Sequence, residues 1–188
     1  MPSKCIEAAE LGELAGNAAH VELRLGSEDL IRLADFLVRD DGDDERAPIL
    51  TAAIDFGEGP EGFPCLRLTI SGELKLRCQR CLRSLAWPVA MTSRLTVLQA
   101  DAQAGQLAAP FDSVVTENGS LRLEIVVEDE VLAALPMAPM HGSRAACGEA
   151  GAPMENLAGL NPRKQAAHTH RPFAALASMV DGGDTKEQ

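Results

Sequence analysis

Apolar and polar residues alternate along much of the first half of the chain, and this pattern predicts β-strands. Residues 21–25 alternate strictly and predict a half-buried strand, whereas the apolar run at residues 49–56 predicts a buried one. A further strand is expected somewhere within residues 85–98. Its first part contains Pro88, which cannot donate a backbone hydrogen bond and is therefore expected at a sheet edge.

Residues 65–77 predict a β-hairpin, because leucines alternate with polar residues on both sides of Gly72. A two-residue turn would place apolar residues opposite charged ones, whereas a three-residue turn over residues 70–72 keeps the faces matched. Gly72 is free to adopt a positive φ in such a turn. The predicted register pairs Leu68 with Leu74 and Arg67 with Lys75.

Two segments have the 3.6-residue apolar spacing of helices. Residues 28–38 follow Ser27, a favourable N-cap, and residues 123–135 end before Pro136, which cannot continue a helix. The acids at positions 128–130 are predicted to lie mostly on the exposed side of the second helix. The intervening residues 99–120 are predicted to form a loop.

These elements predict an α+β fold in which an antiparallel sheet is packed by the two helices. We expect a single domain over residues 1–188 with four parts. They are a loose N-terminal arm at residues 1–18, a core at residues 19–140, a flexible connector at residues 141–170, and a short C-terminal docking helix at residues 171–181.

Composition and charge narrow the class of protein. Of the 188 residues, 46% are apolar, which argues against global disorder, and no apolar run is long enough to span a membrane. Acids within the first residues argue against an export signal, so we expect a cytoplasmic protein with reduced thiols. The net charge of −11 argues against bulk electrostatic binding to nucleic acid, and we expect neither DNA nor a membrane as a partner.

One stretch reverses this charge. Between residues 65 and 94 there are six basic residues and a single acid, a local charge of +5. The stretch suits an RNA-contacting face or a docking site for an acidic partner, and the alternative is a solvated sheet face whose cations protect an edge. The candidate RNA- or partner-binding residues are Arg67, Lys75, Arg77, Arg80, Arg83 and Arg94.

A CxxC motif at Cys78 and Cys81 is the sharpest local feature. Two cysteines at this spacing can share one tetrahedral zinc ion, and His141 and Cys147 are the best candidates for the remaining ligands. A thioredoxin-like redox pair is another interpretation, although it requires the motif at a helix N-terminus within a βαβ unit. The simplest interpretation is two cysteines packed in a turn without a ligand, so the sequence predicts no cofactor and retains zinc as the alternative.

Catalytic motifs are weak throughout the chain. The sequence contains no GxSxG elbow, no phosphate-binding GxxxxGK[ST] loop and no HExxH pair. The adjacent acids at positions 128–130 fan outward on a helix and do not converge on one substrate. The residues therefore predict a protein that is not an enzyme, and the alternative is a zinc- or thiol-dependent enzyme centred on the CxxC pair.

Three ordered blocks of sequence resemble the large ribosomal RNA subunit accumulation protein (YceD) family. Residues 76–82 resemble its CxRCL signature, and residues 127–136, followed by Pro139, His141 and Cys147, resemble its VEDE and LALP stretch. Residues 171–179 resemble its closing NPFAxLAxL block, with Arg171 in place of the usual Asn or Asp.

The resemblance implies a role in the synthesis, processing or stability of 23S rRNA, and hence a pre-ribosomal large subunit as the partner. Contact is expected with 23S rRNA, a ribosomal protein or a processing enzyme. Some relatives carry further cysteines after the LALP block, where this chain retains His141 and Cys147. The family supplies no catalytic residues. One hypothesis reconciles this role with the acidic composition: the basic stretch meets phosphate while the acidic surface faces a basic protein.

Overall fold

The computed structural model describes residues 5–39, 47–106 and 112–151, and every structural statement below concerns these ranges. They fall in the first of two units, Met1–Ala152. In chain order the described strands and α-helices are β1 (Cys5–Glu7), α1 (Leu11–Gly16), β2 (His20–Leu25), α2 (Ile31–Ala34), β3 (Leu50–Glu58), β4 (Pro64–Arg77), β5 (Ser84–Leu98), β6 (Ser113–Val115), β7 (Ser120–Arg122) and α3 (Leu123–Ala134).

A five-stranded sheet with the order β2-β3-β4-β5-β6 forms the centre of the described fold. Its strands are antiparallel except for β5 and β6, which run parallel, and β1 pairs with β7 in a separate two-stranded sheet. The α+β class predicted from the sequence is therefore confirmed. The strands predicted at residues 21–25, 49–56 and within 85–98 correspond to β2, β3 and β5.

The hairpin predicted within residues 65–77 is wrong, because β4 is one continuous strand of 14 residues. Apart from Cys65, its buried residues lie at even positions both before and after Gly72, so the alternation continues in phase and needs no turn. Arg67 consequently lies opposite Arg94 of β5 and not opposite Lys75, which faces Ala86. Leu68 likewise lies opposite Ser93.

Gly72 has a different role from the turn residue that was predicted. It has a φ of +155°, and a Cβ atom at this position would lie 2.2 Å from the carbonyl oxygen of Ile49. The close approach of the chain just before β3 therefore requires glycine here. Gly72 lets the backbone at Ile49 approach the middle of β4 closely. The sequence pattern had instead predicted a chain reversal at this position.

The helix predicted at residues 28–38 is reduced to the single turn of α2. The Asp29 carboxylate accepts a hydrogen bond from the Gly26 backbone N–H at 3.0 Å, and this local turn replaces the first helical turn. After α2 the chain pairs with β4, because Leu37 bridges Leu76 and the Val38 N–H donates to the Lys75 carbonyl. The helix thus ends early because residues 37 and 38 pair with β4.

The N-terminal arm predicted at residues 1–18 is not loose where the structure describes it. Strand β1 pairs with β7, and α1 buries Leu11 and Ala15 against the core. The loop predicted at residues 99–120 contains a 3₁₀ helix, Asp101–Gln106, as well as β6 and the first residue of β7. These strands were missed because segments of three residues are too short to establish an alternation.

Helix α3 confirms the prediction at residues 123–135. It buries Leu123, Val126, Val127 and Val131 in the same apolar cluster as the inner faces of β2, β3 and β4. The described helices include none that is long and apolar enough to cross a membrane. The docking helix predicted at residues 171–181, and the connector beyond residue 151, lie outside the described residues.

Candidate metal centre

The CxxC motif lies in the connection between the two longest strands. Cys78 directly follows β4, and the chain reverses over six residues before β5 begins. The Cys78 N–H donates to the Arg83 carbonyl at 2.9 Å, and the Leu82 N–H donates to the Cys78 carbonyl at 2.8 Å. Leu82 has a φ of +61°, a conformation that glycine adopts more readily. These hydrogen bonds hold the sulfur atoms of both cysteines on one side of the turn.

A second loop, at residues 139–147, packs against this turn. The Gln79 N–H donates to the Pro139 carbonyl at 2.8 Å, and Arg80 Nη2 donates to the His141 carbonyl at 2.8 Å. Arg83 Nη2 reaches the carbonyl of Ala146 at 3.1 Å. The flexible connector predicted from residue 141 onwards therefore begins, in its described part, as a segment bound to the CxxC turn.

The two loops bring four potential metal ligands together. Cys78, Cys81, His141 and Cys147 place one ligand atom each within 4.8 Å of all the others. Cys78 Sγ and Cys147 Sγ are 3.9 Å apart, and His141 Nδ1 lies 3.5 Å from Cys81 Sγ and 3.6 Å from Cys147 Sγ. These are the four residues that the sequence predicted as candidate ligands.

The environment of the cluster favours a thiolate at Cys78. Burial opposes the charged form, but backbone N–H groups of His141, Cys81 and Arg80, together with the His141 side chain, outweigh it. They lower the pKa of Cys78 to about 5. Burial raises the pKa of Cys147, and the side chains of Cys81 and Cys78 raise it further. A thiolate surrounded by N–H donors and neighbouring thiols is the usual environment of a metal-binding cysteine.

The geometry can be compared with a tetrahedral zinc site. Bonds of about 2.3 Å to sulfur and about 2.0 Å to nitrogen place two sulfurs about 3.8 Å apart and a sulfur about 3.5 Å from a nitrogen. The observed separations of 3.9, 3.5 and 3.6 Å agree with these values. The three thiols and one imidazole could therefore hold a metal ion, and the donor set is compatible with zinc.

Comparison with known families extends this picture. The family model described as "Large ribosomal RNA subunit accumulation protein YceD" matches residues 66–179, which is more than half of the chain. The chain belongs to this family. Among solved structures, none matches the chain.

The YceD match begins in β4 and includes both loops of the candidate metal centre. All four potential ligands, helix α3 and four residues of the structured turn after Cys147 lie within it. Strands β1, β2 and β3 precede the matched region. The part of the chain that resembles the YceD family is thus the part that carries the cluster.

The predicted basic residues lie near the two opposite ends of the β4–β5 pair. Arg67 and Arg94 face each other near one end of the β4–β5 pair, and Arg94 Nε contacts Cys65 Sγ at 3.2 Å. Arg77 ends β4 at the other end, about 33 Å from Arg67 at the usual rise per residue of a strand. Lys75, Arg80 and Arg83 lie near this second end.

Glu128 is the residue that sequence reasoning placed wrongly. It was predicted on the exposed face of α3, yet it is only 3% exposed. Its Oε1 accepts hydrogen bonds from the backbone N–H groups of Arg32 at 2.7 Å and Leu33 at 3.0 Å. A signal was present in the sequence, because Glu128 lies three residues before Val131 and therefore on the same stripe.

Proposed function

We propose that this chain acts in the accumulation of large-subunit ribosomal RNA, as a non-catalytic cytoplasmic factor that contacts the pre-ribosomal large subunit. The observation that carries the proposal is the YceD match over residues 66–179. The family description names large ribosomal RNA subunit accumulation and no reaction. Contact with 23S rRNA, a ribosomal protein or a processing enzyme satisfies this proposal equally.

We further propose that Cys78, Cys81, His141 and Cys147 bind one zinc ion with a structural role. Four protein donors fill all positions of a tetrahedron, whereas catalytic zinc sites keep a position for water or substrate. The ion would fasten the 139–147 loop to the CxxC turn. Cys78 and Cys147 are almost fully buried, which suits a closed site better than one that exchanges ligands.

The basic residues at the two ends of the β4–β5 pair support contact with an acidic component of the particle. Arg67 and Arg94 are exposed and directly opposed, and Asp55 of β3 lies opposite Arg67 on its other side. The two cations thus exceed this one acid, and the remaining charge is open to an anion or solvent. At the other end, Arg80 and Arg83 each use one nitrogen on the second loop and keep further N–H groups for a partner.

A thiol-dependent enzyme is the second candidate function. The observation that favours it is the pKa of about 5 at Cys78, because a nucleophilic cysteine must be ionised near neutral pH. The burial of Cys78 argues against it, since a substrate must reach the sulfur. Thiol–disulfide exchange that is lost in Cys81→Ser would favour the enzyme, and its absence in purified protein would favour the structural site.

The ratio of mature 23S to 16S rRNA in cells depleted of this protein tests the proposed role. A selective fall in 23S rRNA, or an increase in its precursors, is expected, with recovery when the chain is supplied from a plasmid. Normal 23S levels and normal subunit ratios after verified depletion would overturn the proposal.

Metal content tests the zinc site independently of any role in the cell. Purified protein is expected to contain one zinc ion per chain, measured by plasma mass spectrometry, and Cys78→Ser is expected to lose it. Cys5→Ser provides the control, because Cys5 lies in β1 and is not part of the cluster. Metal-free wild-type protein that cannot be loaded with zinc would contradict the assignment.

A further inference from the structure

Exposed apolar side chains concentrate around the candidate metal centre. In the described ranges, five large apolar residues are exposed: Ile31, Phe36, Leu82, Met137 and Met140. Met137 is fully exposed and Leu82 is 65% exposed. Phe36 and Met137 line one groove of about 460 Å³ together with Arg77, and Leu82 lines a neighbouring groove with Arg83 and His141.

The two grooves are neighbours, because consecutive residues of the segment after α2 line them. Phe36 and Leu37 line the first groove and Val38 lines the second. Residues 136–141 also contribute to both grooves, since Met137 lines the first and His141 the second. We call this the knuckle surface and define it by Phe36, Arg77, Leu82, Arg83 and Met137, which line the grooves, and by the exposed Met140, which directly precedes His141.

Leu82 is an informative member of the knuckle surface. Its backbone φ of +61° lies in the left-handed region, which is unfavourable for any residue that carries a Cβ atom. Burial does not offset this strain, because most of the side chain is exposed to solvent. Glycine would remove both disadvantages. A leucine that is strained and exposed at the tip of a metal-binding turn indicates a side chain held out for a partner.

The chemistry of the knuckle surface identifies the kind of partner. Phenylalanine, methionine and arginine are enriched at protein interfaces. The segments that form it, residues 35–38, 77–84 and 136–147, carry four arginines and one acid in a chain with a net charge of −11. Single-stranded RNA is usually bound on aromatic platforms, and this surface offers one phenylalanine between leucine and methionines. A protein partner fits these side chains better than RNA.

We propose that the knuckle surface docks a protein of the pre-ribosomal large subunit that presents an apolar cluster flanked by carboxylates. This inference rests on the proposed function for the identity of the particle. The apolar centre would supply most of the affinity, and the arginines would set orientation and association rate. The metal centre serves the surface by fixing the CxxC turn, which carries Leu82, and the 139–147 loop, which carries Met140 and begins two residues after Met137.

The test is sedimentation of the full-length chain with purified large-subunit precursor particles and, separately, with protein-free 23S rRNA. Leu82→Gly and Met137→Ser are expected to weaken particle binding about tenfold or more, as for central interface residues. Ile31→Ser is the matched control, because Ile31 is 73% exposed and lines neither groove. Zinc content and unfolding curves establish that each variant is folded, and Leu82→Gly relieves backbone strain.

Each outcome has a definite meaning. We expect the unsubstituted chain to bind protein-free 23S rRNA only weakly. We also expect Leu82→Gly and Met137→Ser, but not Ile31→Ser, to lose particle binding. Unchanged particle binding by Leu82→Gly and Met137→Ser would overturn the docking surface and leave the proposed function intact. If the unsubstituted chain binds protein-free 23S rRNA as tightly as it binds the particle, and both variants abolish that binding, the partner is RNA and not a protein. Failure of the unsubstituted chain to bind either probe would count against the surface and the proposed function together.

Discussion

The carboxylate of Glu128 in α3 is paired with Arg32 in α2 through both the backbone and the side chain. Oε1 accepts the Arg32 backbone N–H at 2.7 Å, and Oε2 accepts Nε of the same residue at 2.9 Å. These charge-assisted hydrogen bonds fix the single turn of α2 to α3. The chain that leaves α2 then carries Phe36 to the groove beside the metal centre.

Replacement of Glu128 by alanine should therefore be strongly destabilising. Two backbone N–H groups, of Arg32 and Leu33, would lose their acceptor, and the expected cost is about 2 to 4 kcal/mol. Glu128→Gln keeps one acceptor oxygen and should cost less. Urea unfolding of the purified protein measures both.

Asp129→Asn provides the control for this prediction. Asp129 also pairs with Arg32, at 2.7 Å, but about half of each side chain is exposed to solvent. An exposed ion pair contributes little, so the change should stay within about 0.5 kcal/mol. Equal losses from Asp129→Asn and Glu128→Ala would mean that burial of the Glu128 carboxylate has no special role.

Gly72 should not tolerate a side chain. A methyl group there would meet the Ile49 carbonyl oxygen at 2.2 Å, and we expect Gly72→Ala to lower the free energy of unfolding by more than about 1 kcal/mol. Gly57→Ala in β3 is the matched control, because no atom lies within 4 Å of its added Cβ. Equal thermal stability of the two variants would contradict the close approach of the chain at Gly72.

The alternation of apolar residues predicted which faces of the strands are buried, but it could not predict which strands pair. Residues Leu66 to Leu76 keep even positions inward, and this pattern fits a hairpin with a three-residue turn as well as one long strand. Whether residues 65–77 form a hairpin or one strand depends on β3 and β5, which pair with the two edges of β4. Such neighbours are distant in sequence, so local pattern contains no information on them.

The candidate ligands were predictable for a different reason. A CxxC spacing places two sulfurs on one turn by local geometry alone, so Cys78 and Cys81 form a recognisable pair. The approach of His141 and Cys147 depends on hydrogen bonds from Arg80 and from the backbone of the turn, which sequence spacing does not encode. Those residues were candidates by type and by resemblance, and the fold brings them to the pair.

Removal of the metal should lower the stability of the protein. If zinc joins the two loops, a strong chelator should reduce the melting temperature by several degrees, and His141→Ala should show a low melting temperature that the chelator does not change further. His20→Ala is the control, since His20 forms an exposed pair with Asp55 far along the chain from the cluster. A melting temperature of wild-type protein that is insensitive to chelator would count against a structural ion.

Arg80 should act as a positioning residue for the metal site. Its guanidinium donates to the His141 carbonyl at 2.8 Å and so holds the second loop in place. Arg80→Gln should weaken zinc binding about tenfold or more, as measured by competition with a chromophoric chelator. Arg77→Gln is the comparison, because Arg77 is the last residue of β4 and makes no side-chain hydrogen bond to the second loop within the described residues. Equal affinities of the two variants would show that the Arg80 hydrogen bond does not support the site.

If the Cys78, Cys81, His141 and Cys147 cluster supports large-subunit rRNA accumulation, one complementation experiment tests that connection directly. Depleted cells would receive the wild-type chain, Cys78→Ser or Cys5→Ser at matched protein levels, and the ratio of mature 23S to 16S rRNA would be measured. We expect wild type and Cys5→Ser to restore the ratio and Cys78→Ser to leave it low. Full restoration by Cys78→Ser would contradict the claim that the cluster supports this function.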